Sequence, residues 1–93
     1  MSGYDRTMQL ARERNTLALG ILKQCYEWVL KQGRDQMFAA RWVLGGIPAV
    51  NLRTLSTRGI LEKVGLSRGG HRAYYRMVDP DSVGRALNAL GLA

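Results

Sequence analysis

The sequence has little of what several classes of protein depend on. It contains one cysteine, Cys25, and one histidine, His71, among 93 residues. These numbers exclude an internal disulfide framework and the cysteine–histidine clusters of zinc sites, and we expect neither a metal nor a cofactor. No apolar run reaches the ~18 residues that a membrane span requires. The first residues lack a basic stretch followed by an apolar one, so we expect no secretory signal and a cytoplasmic location.

Enzymatic machinery is also missing. A nucleophile needs a general base within hydrogen-bond reach, and the only histidine lies in a glycine-rich stretch. Neither a phosphate-binding P-loop nor a dinucleotide fingerprint occurs. We therefore expect a protein that binds a partner without catalysis. Cys25 lies among apolar residues at helical spacing, which predicts a small, buried core residue.

What the chain does have is an excess of positive charge. Fourteen lysines and arginines against seven acidic residues give a net charge of +7. Residues 33–78 alone carry eight cations and two anions, whereas both ends are close to neutral. Most of the cations are arginines, whose planar fork matches phosphate groups and the edge of guanine. A basic segment inside a small domain predicts a polyanionic partner.

Helical periodicity dominates both ends of the chain, which we interpret as one domain over residues 1–93. A long helix is predicted from Thr16 to Leu30, stopped by Gly33, with residues 1–15 as a helical extension at its N-terminal end. Asp79 followed by Pro80 is an N-terminal helix signal and predicts a last helix within residues 79–93. The apolar stripe of this last helix is Val83, Ala86, Leu87 and Leu90.

The middle of the chain predicts two shorter helices. The first runs over Met37–Leu44 and ends at a pair of glycines. The second runs over residues 48–58, because Pro48 suits a first helical turn and Gly59 suits a helix end. Its apolar residues are Val50, Leu52 and Leu55, which predicts that this side of the helix faces the core.

Two β-prone runs follow this helix. Residues 60–64 and 73–78 flank a glycine-containing loop, residues 65–72, which is typical of a β-hairpin. Alternation along the second run predicts that Tyr75 and Met77 face the core.

The order of these elements resembles the winged helix-turn-helix family of DNA-binding domains. Three stretches carry the resemblance: residues 43–48 as the turn between helices, residues 52–61 as the recognition helix leading into the first strand, and residues 68–77 as the wing and its return strand. The resemblance covers residues 16–78. It implies a mainly α fold with a small β-hairpin, a long N-terminal helix and a C-terminal helix.

The resemblance and the chemistry of the side chains together predict a DNA interface. With the apolar residues of helix 48–58 turned inward, Asn51 faces outward and pairs with adenine, while Arg53 pairs with guanine. Thr54 and Thr57 suit phosphate oxygens, and we predict a phosphate or helix-dipole contact for Arg58. In the wing we predict contacts to the backbone or minor groove. These wing residues are Arg68, His71 and Arg72.

The predicted function is therefore sequence-specific binding of double-stranded DNA by a small, nucleoid-associated transcription regulator. We expect a homodimer formed through the N- and C-terminal helices, as is common for regulators of this family. Two alternatives remain open from the sequence. One is a nonspecific architectural DNA binder, and the other is a winged-helix module that binds an acidic protein surface.

Overall fold

The computed structural model describes residues 3–33, 37–39, 50–66 and 73–93. The described part of the chain is mainly helical and carries a three-stranded antiparallel sheet with strand order β1-β3-β2. The helices are α1 (Gly3–Arg12), α2 (Thr16–Gln32), α3 (Val50–Thr57) and α4 (Pro80–Ala89). The strands are β1 (Phe38–Ala39), β2 (Leu61–Leu66) and β3 (Ala73–Met77).

The N-terminal residues form a helix of their own and do not extend α2, which corrects the sequence-based expectation for residues 1–15. Arg14 adopts a left-handed backbone conformation with a φ of 56°, and the chain changes direction there. Asn15 then starts α2, because its side-chain oxygen accepts a hydrogen bond of 3.2 Å from the backbone N–H of Ala18. The predicted end of α2 is confirmed: Gly33, with a φ of 131°, donates its N–H to the carbonyl of Val29.

The predicted helix Met37–Leu44 is wrong at its start. Phe38 and Ala39 form β1 and pair with Tyr75 and Tyr74 of β3. The ring of Phe38 is fully buried, and its centroid lies 5.4 Å from that of Trp28 on α2. Sheet pairing and burial of the Phe38 ring outweigh the local helical pattern. The remainder of this predicted helix and the turn after it lie outside the described residues.

The predicted hairpin is confirmed as the pair of strands β2 and β3. Leu61 pairs with Met77, and the register shifts by one residue between Lys63 and Gly65. Tyr75 and Met77 are buried, as the alternation predicts. The shift is a β-bulge, which bends and twists β2 as it approaches the loop.

The C-terminal helix α4 begins as the sequence predicts. The carboxylate of Asp79 accepts a hydrogen bond from the backbone N–H of Ser82, and Pro80 occupies the first turn. The Ser82 hydroxyl also donates to Asp79, and this contact lowers the pKa of the Asp79 carboxyl. Three of the four predicted stripe residues, Val83, Ala86 and Leu87, are fully buried.

The core lies between the helices and the inner face of the sheet. Helices α1 and α4 pack against each other, and α2 contacts α1, α3 and α4. Cys25 is completely buried on α2, as predicted, and burial raises the pKa of its thiol to about 12. Because α1 and α4 cover each other within one chain, only their outward sides remain for the predicted dimer contact.

Candidate nucleic-acid interface

Helix α3 separates its apolar from its polar side chains. Leu52 and Leu55 are fully buried, whereas Arg53 and Thr57 are exposed. Arg53 and Thr57 are four residues apart, so they are neighbours on the outer face of the helix. Thr54 is half-buried beside them. The predicted inward side is thus confirmed at Leu52 and Leu55. The predicted outward side is confirmed at Arg53 and Thr57 and only in part at Thr54.

Apart from Arg58, the other predicted site residues lie at the edge of the described part of the chain or beyond it. Asn51 is in the first turn of α3, but its side chain is outside the described part. The wing residues also lie outside the described residues; they are Arg68, His71 and Arg72. Their predicted roles stay predictions. The two strands that lead into and out of residues 67–72 are described, and they run antiparallel up to the pair of Leu66 and Ala73.

The end of α3 is a well-defined turn centred on Gly59. Gly59 has a φ of 78°, donates its N–H to Ser56 and is followed by Ile60, whose N–H reaches back to Leu55. This pair of hydrogen bonds is the Schellman arrangement, in which a glycine takes the left-handed position. Ile60 and Leu55 are both buried, so the turn is also fixed by apolar packing. The predicted helix stop at Gly59 is confirmed.

Helix α1 contacts this turn through Arg6, a residue that the sequence interpretation did not single out. Arg6 Nη1 donates a hydrogen bond of 2.9 Å to the carbonyl oxygen of Gly59. The guanidinium lies so close to Gly59 that a Cβ atom there would lie 2.8 Å from Arg6 Cζ. A cation at the C-terminal end of a helix is favourable because the free carbonyls carry partial negative charge. The partners are 53 positions apart in the chain, which explains why no local pattern predicts this contact.

Arg58 forms an ion pair with Glu13, in the turn between α1 and α2. Both ends of the guanidinium fork donate to the two carboxylate oxygens, with Arg58 Nη1 2.6 Å from Glu13 Oε2. Gln9 donates a further hydrogen bond of 3.1 Å to the same oxygen. The hydrogen bond from Arg58, followed by that from Gln9, lowers the pKa of Glu13 to about 2. Arg58, predicted to contact phosphate or the helix dipole, therefore has a carboxylate partner within its own chain.

The outer face of the hairpin carries charges of both signs. Arg76 of β3 donates to Glu62 of β2 across a distance of 2.9 Å, and both side chains are about half exposed. Lys63, the next residue on β2, is exposed. The described residues of β2 and β3 thus carry a net charge of +1.

Neither a metal site nor a membrane-spanning helix is found in the described part of the chain. Among the residues that the structure describes, no three histidine, cysteine, aspartate or glutamate side chains come together as a metal site requires. No helix in the described ranges is both long and apolar enough to cross a membrane.

Comparison of the chain with models of protein families, with curated proteins and with solved structures finds no match. The fold and the arrangement of the side chains are therefore the basis for assigning a function.

We expect the ion pair of Glu13 to make folding stability sensitive to acid. The folded-state pKa of Glu13 lies at about 2, below its ordinary value of 4.5. Its contribution is therefore fully present above pH 4.5 and is lost as the pH falls through about 2. Urea unfolding between pH 6 and pH 2 measures this loss. In the Glu13→Gln variant the free energy of unfolding should fall less steeply with decreasing pH, and the part of the fall that is due to Asp79 should remain. An identical fall in both proteins would contradict the stabilising role of the Glu13 ion pair.

Proposed function

We propose that this protein binds double-stranded DNA in a sequence-specific manner and acts as a small transcription regulator. Helix α3 is the proposed recognition helix in the major groove. The segment of residues 65–72 is the proposed wing on the backbone or minor groove. The observation that carries the proposal is the two-sided character of α3: Leu52 and Leu55 anchor it fully in the core, while Arg53 and Thr57 point away from the protein.

The dimensions of α3 suit this role. An α-helix with its side chains is about 10–12 Å across, and the major groove of B-DNA is about 12 Å wide. A forked guanidinium on the outer face has the geometry to bond the O6 and N7 atoms of guanine. The hydroxyls of Thr54 and Thr57 suit phosphate oxygens, which fix the position of the helix without reading sequence.

The order of the elements supports a winged-helix assignment. Strand β1 precedes α3, α3 leads through the Gly59 turn into β2, and β3 lies between β1 and β2 in the sheet. Helix α3 contacts β2, the strand that leads into the proposed wing. A helix and a wing carried by neighbouring elements suit a two-part contact with one duplex. We further propose that two copies bind together to half-sites about 10 base pairs apart.

Selection from a random duplex library at stepped salt concentrations tests the proposal. We expect a preferred sequence, whose symmetry also reports whether two copies bind together. Binding without sequence preference would replace the regulator with an architectural DNA binder. Absence of duplex binding even at low salt would end the proposal.

The Arg53→Ala variant is expected to lose about 1–3 kcal/mol of binding free energy on the preferred duplex and to relax specificity at one base position. The reason is the loss of a bidentate contact to a base. Titration of the preferred duplex and of its single-base variants measures both effects. Arg85→Ala is the matched control, because Arg85 is an exposed arginine on α4 and its removal changes the net charge equally. Equal weakening on every sequence would assign Arg53 to phosphate alone.

A further inference from the structure

The turn between α1 and α2 places a carboxylate beside the proposed DNA-binding helix. Glu13 accepts hydrogen bonds from both ends of the Arg58 guanidinium, and Gln9 donates a further hydrogen bond to one of the same carboxylate oxygens. The pair joins residues 45 positions apart in the chain. A carboxylate and a phosphate present the same pair of acceptor oxygens to an arginine fork. Glu13 thus occupies Arg58 in the way that a DNA phosphate would.

We propose that Glu13 lowers the affinity for DNA by acting as an intramolecular substitute for phosphate on Arg58. This inference rests on the proposed function. When DNA binds, the guanidinium of Arg58 exchanges the carboxylate for a phosphate, or remains with Glu13 and contributes little. Either way, one arginine at the end of the recognition helix adds less to DNA binding than its charge allows. The affected quantity is the electrostatic, sequence-independent part of the affinity, because phosphate contacts carry no base information.

The geometry favours this role over a purely structural one. The turn after α3 is already shaped by the hydrogen bonds of Gly59 and Ile60, and Arg6 already bonds the carbonyl of Gly59. The side chains of Arg58 and Glu13 are 33% and 36% exposed, so the pair is open to exchange with an incoming anion. An exposed ion pair contributes modestly to stability. Removing the Glu13 carboxylate is expected to lose that modest contribution while the hydrogen bonds of Gly59, Ile60 and Arg6 keep the turn intact, which leaves Arg58 available.

The test compares two variants that remove one negative charge each. Glu13→Gln releases Arg58, while Glu27→Gln removes a carboxylate that pairs with Lys23 on α2 at 3.9 Å. Binding to the preferred duplex is measured by fluorescence anisotropy from 50 to 300 mM salt, and thermal melting verifies that each variant is folded. Where Arg58 stays with Glu13 in the unaltered complex, the variant gains one phosphate contact, which steepens the salt slope by about 0.9 and corresponds to roughly three- to tenfold tighter binding near 0.1 M salt. Where Arg58 exchanges its partner instead, binding becomes tighter without a change of slope.

We expect this gain for Glu13→Gln and not for Glu27→Gln, and we expect it to vanish when Arg58→Ala is combined with Glu13→Gln. Glu13→Ala should repeat the gain if the glutamine variant melts at a lower temperature. An equal gain for Glu13→Gln and Glu27→Gln, or a gain that persists without Arg58, overturns the inference and leaves the proposed function standing. Failure of the unaltered protein to bind any duplex overturns both.

Discussion

Replacing Leu55 with alanine is expected to lower the free energy of unfolding by about 2–5 kcal/mol. Leu55 is completely buried, and its carbonyl accepts the hydrogen bond that closes the turn after α3. Truncation removes apolar contacts and leaves a cavity beneath the helix. For a domain of this size each kcal/mol corresponds to about 4–8 °C in melting temperature, so the variant should melt far below the unaltered protein.

Leu17→Ala provides the matched control for Leu55→Ala. Leu17 belongs to α2 and is 64% exposed, so its truncation should change the stability by no more than about 0.5 kcal/mol. Urea denaturation of the three proteins gives the comparison directly. Similar stabilities for the two variants would mean that the inward face of α3 is assigned incorrectly, and the outward position of Arg53 would be wrong with it.

Gly84→Ala is the second large expected effect, with a loss of about 1–3 kcal/mol in the free energy of unfolding. Gly84 is buried in α4 against the ring of Tyr26, and a Cβ atom there would lie 2.7 Å from Tyr26 Cζ. Tyr26 is partly buried and packs against the core, so admitting the methyl group displaces the ring from that packing or moves α4 away from α2.

The control for Gly84→Ala is the same substitution at Gly20, in the middle of α2. No atom lies within 4 Å of a Cβ built at Gly20, so alanine there should raise stability by about 0.5–1 kcal/mol through its higher helix propensity. Combining Gly84→Ala with Tyr26→Leu should recover part of the loss, since the ring is removed. A loss unaffected by the residue at position 26 would contradict the steric explanation. Calorimetry of the four proteins measures each difference.

The features that the sequence alone predicted are those that neighbouring residues determine. Asp79 and Pro80 start α4 because the carboxylate satisfies a free N–H and the proline lacks one. Gly59 ends α3 because glycine takes a positive φ without steric cost. The alternation of Tyr75 and Met77 gave the buried face of β3. Each of these choices has a local physical cause and needs no knowledge of the remainder of the fold.

The features that the sequence alone did not predict depend on contacts between distant residues or on an unfavourable local backbone conformation. Arg14 breaks the helical N-terminal region with a left-handed conformation, which costs an arginine about 1–2 kcal/mol and is no stop signal in a sequence. Strand β1 has two residues and exists through pairing with Tyr74 and Tyr75. The sequence predicted which residues of α3 face outward at the candidate site. It did not predict that Glu13 pairs with Arg58, because the two residues are 45 positions apart.

The contacts from α1 to the end of α3 have a consequence for the order of folding. Helices and the hairpin form from neighbouring residues, which meet quickly. The contacts of Arg6 with Gly59 and of Glu13 with Arg58 close loops spanning 53 and 45 residues, and the entropy of closing such loops delays them. We therefore expect the turn at the end of α3, which its own hydrogen bonds close locally, to dock against α1 late in folding, after the segments on both sides of it have acquired their own structure.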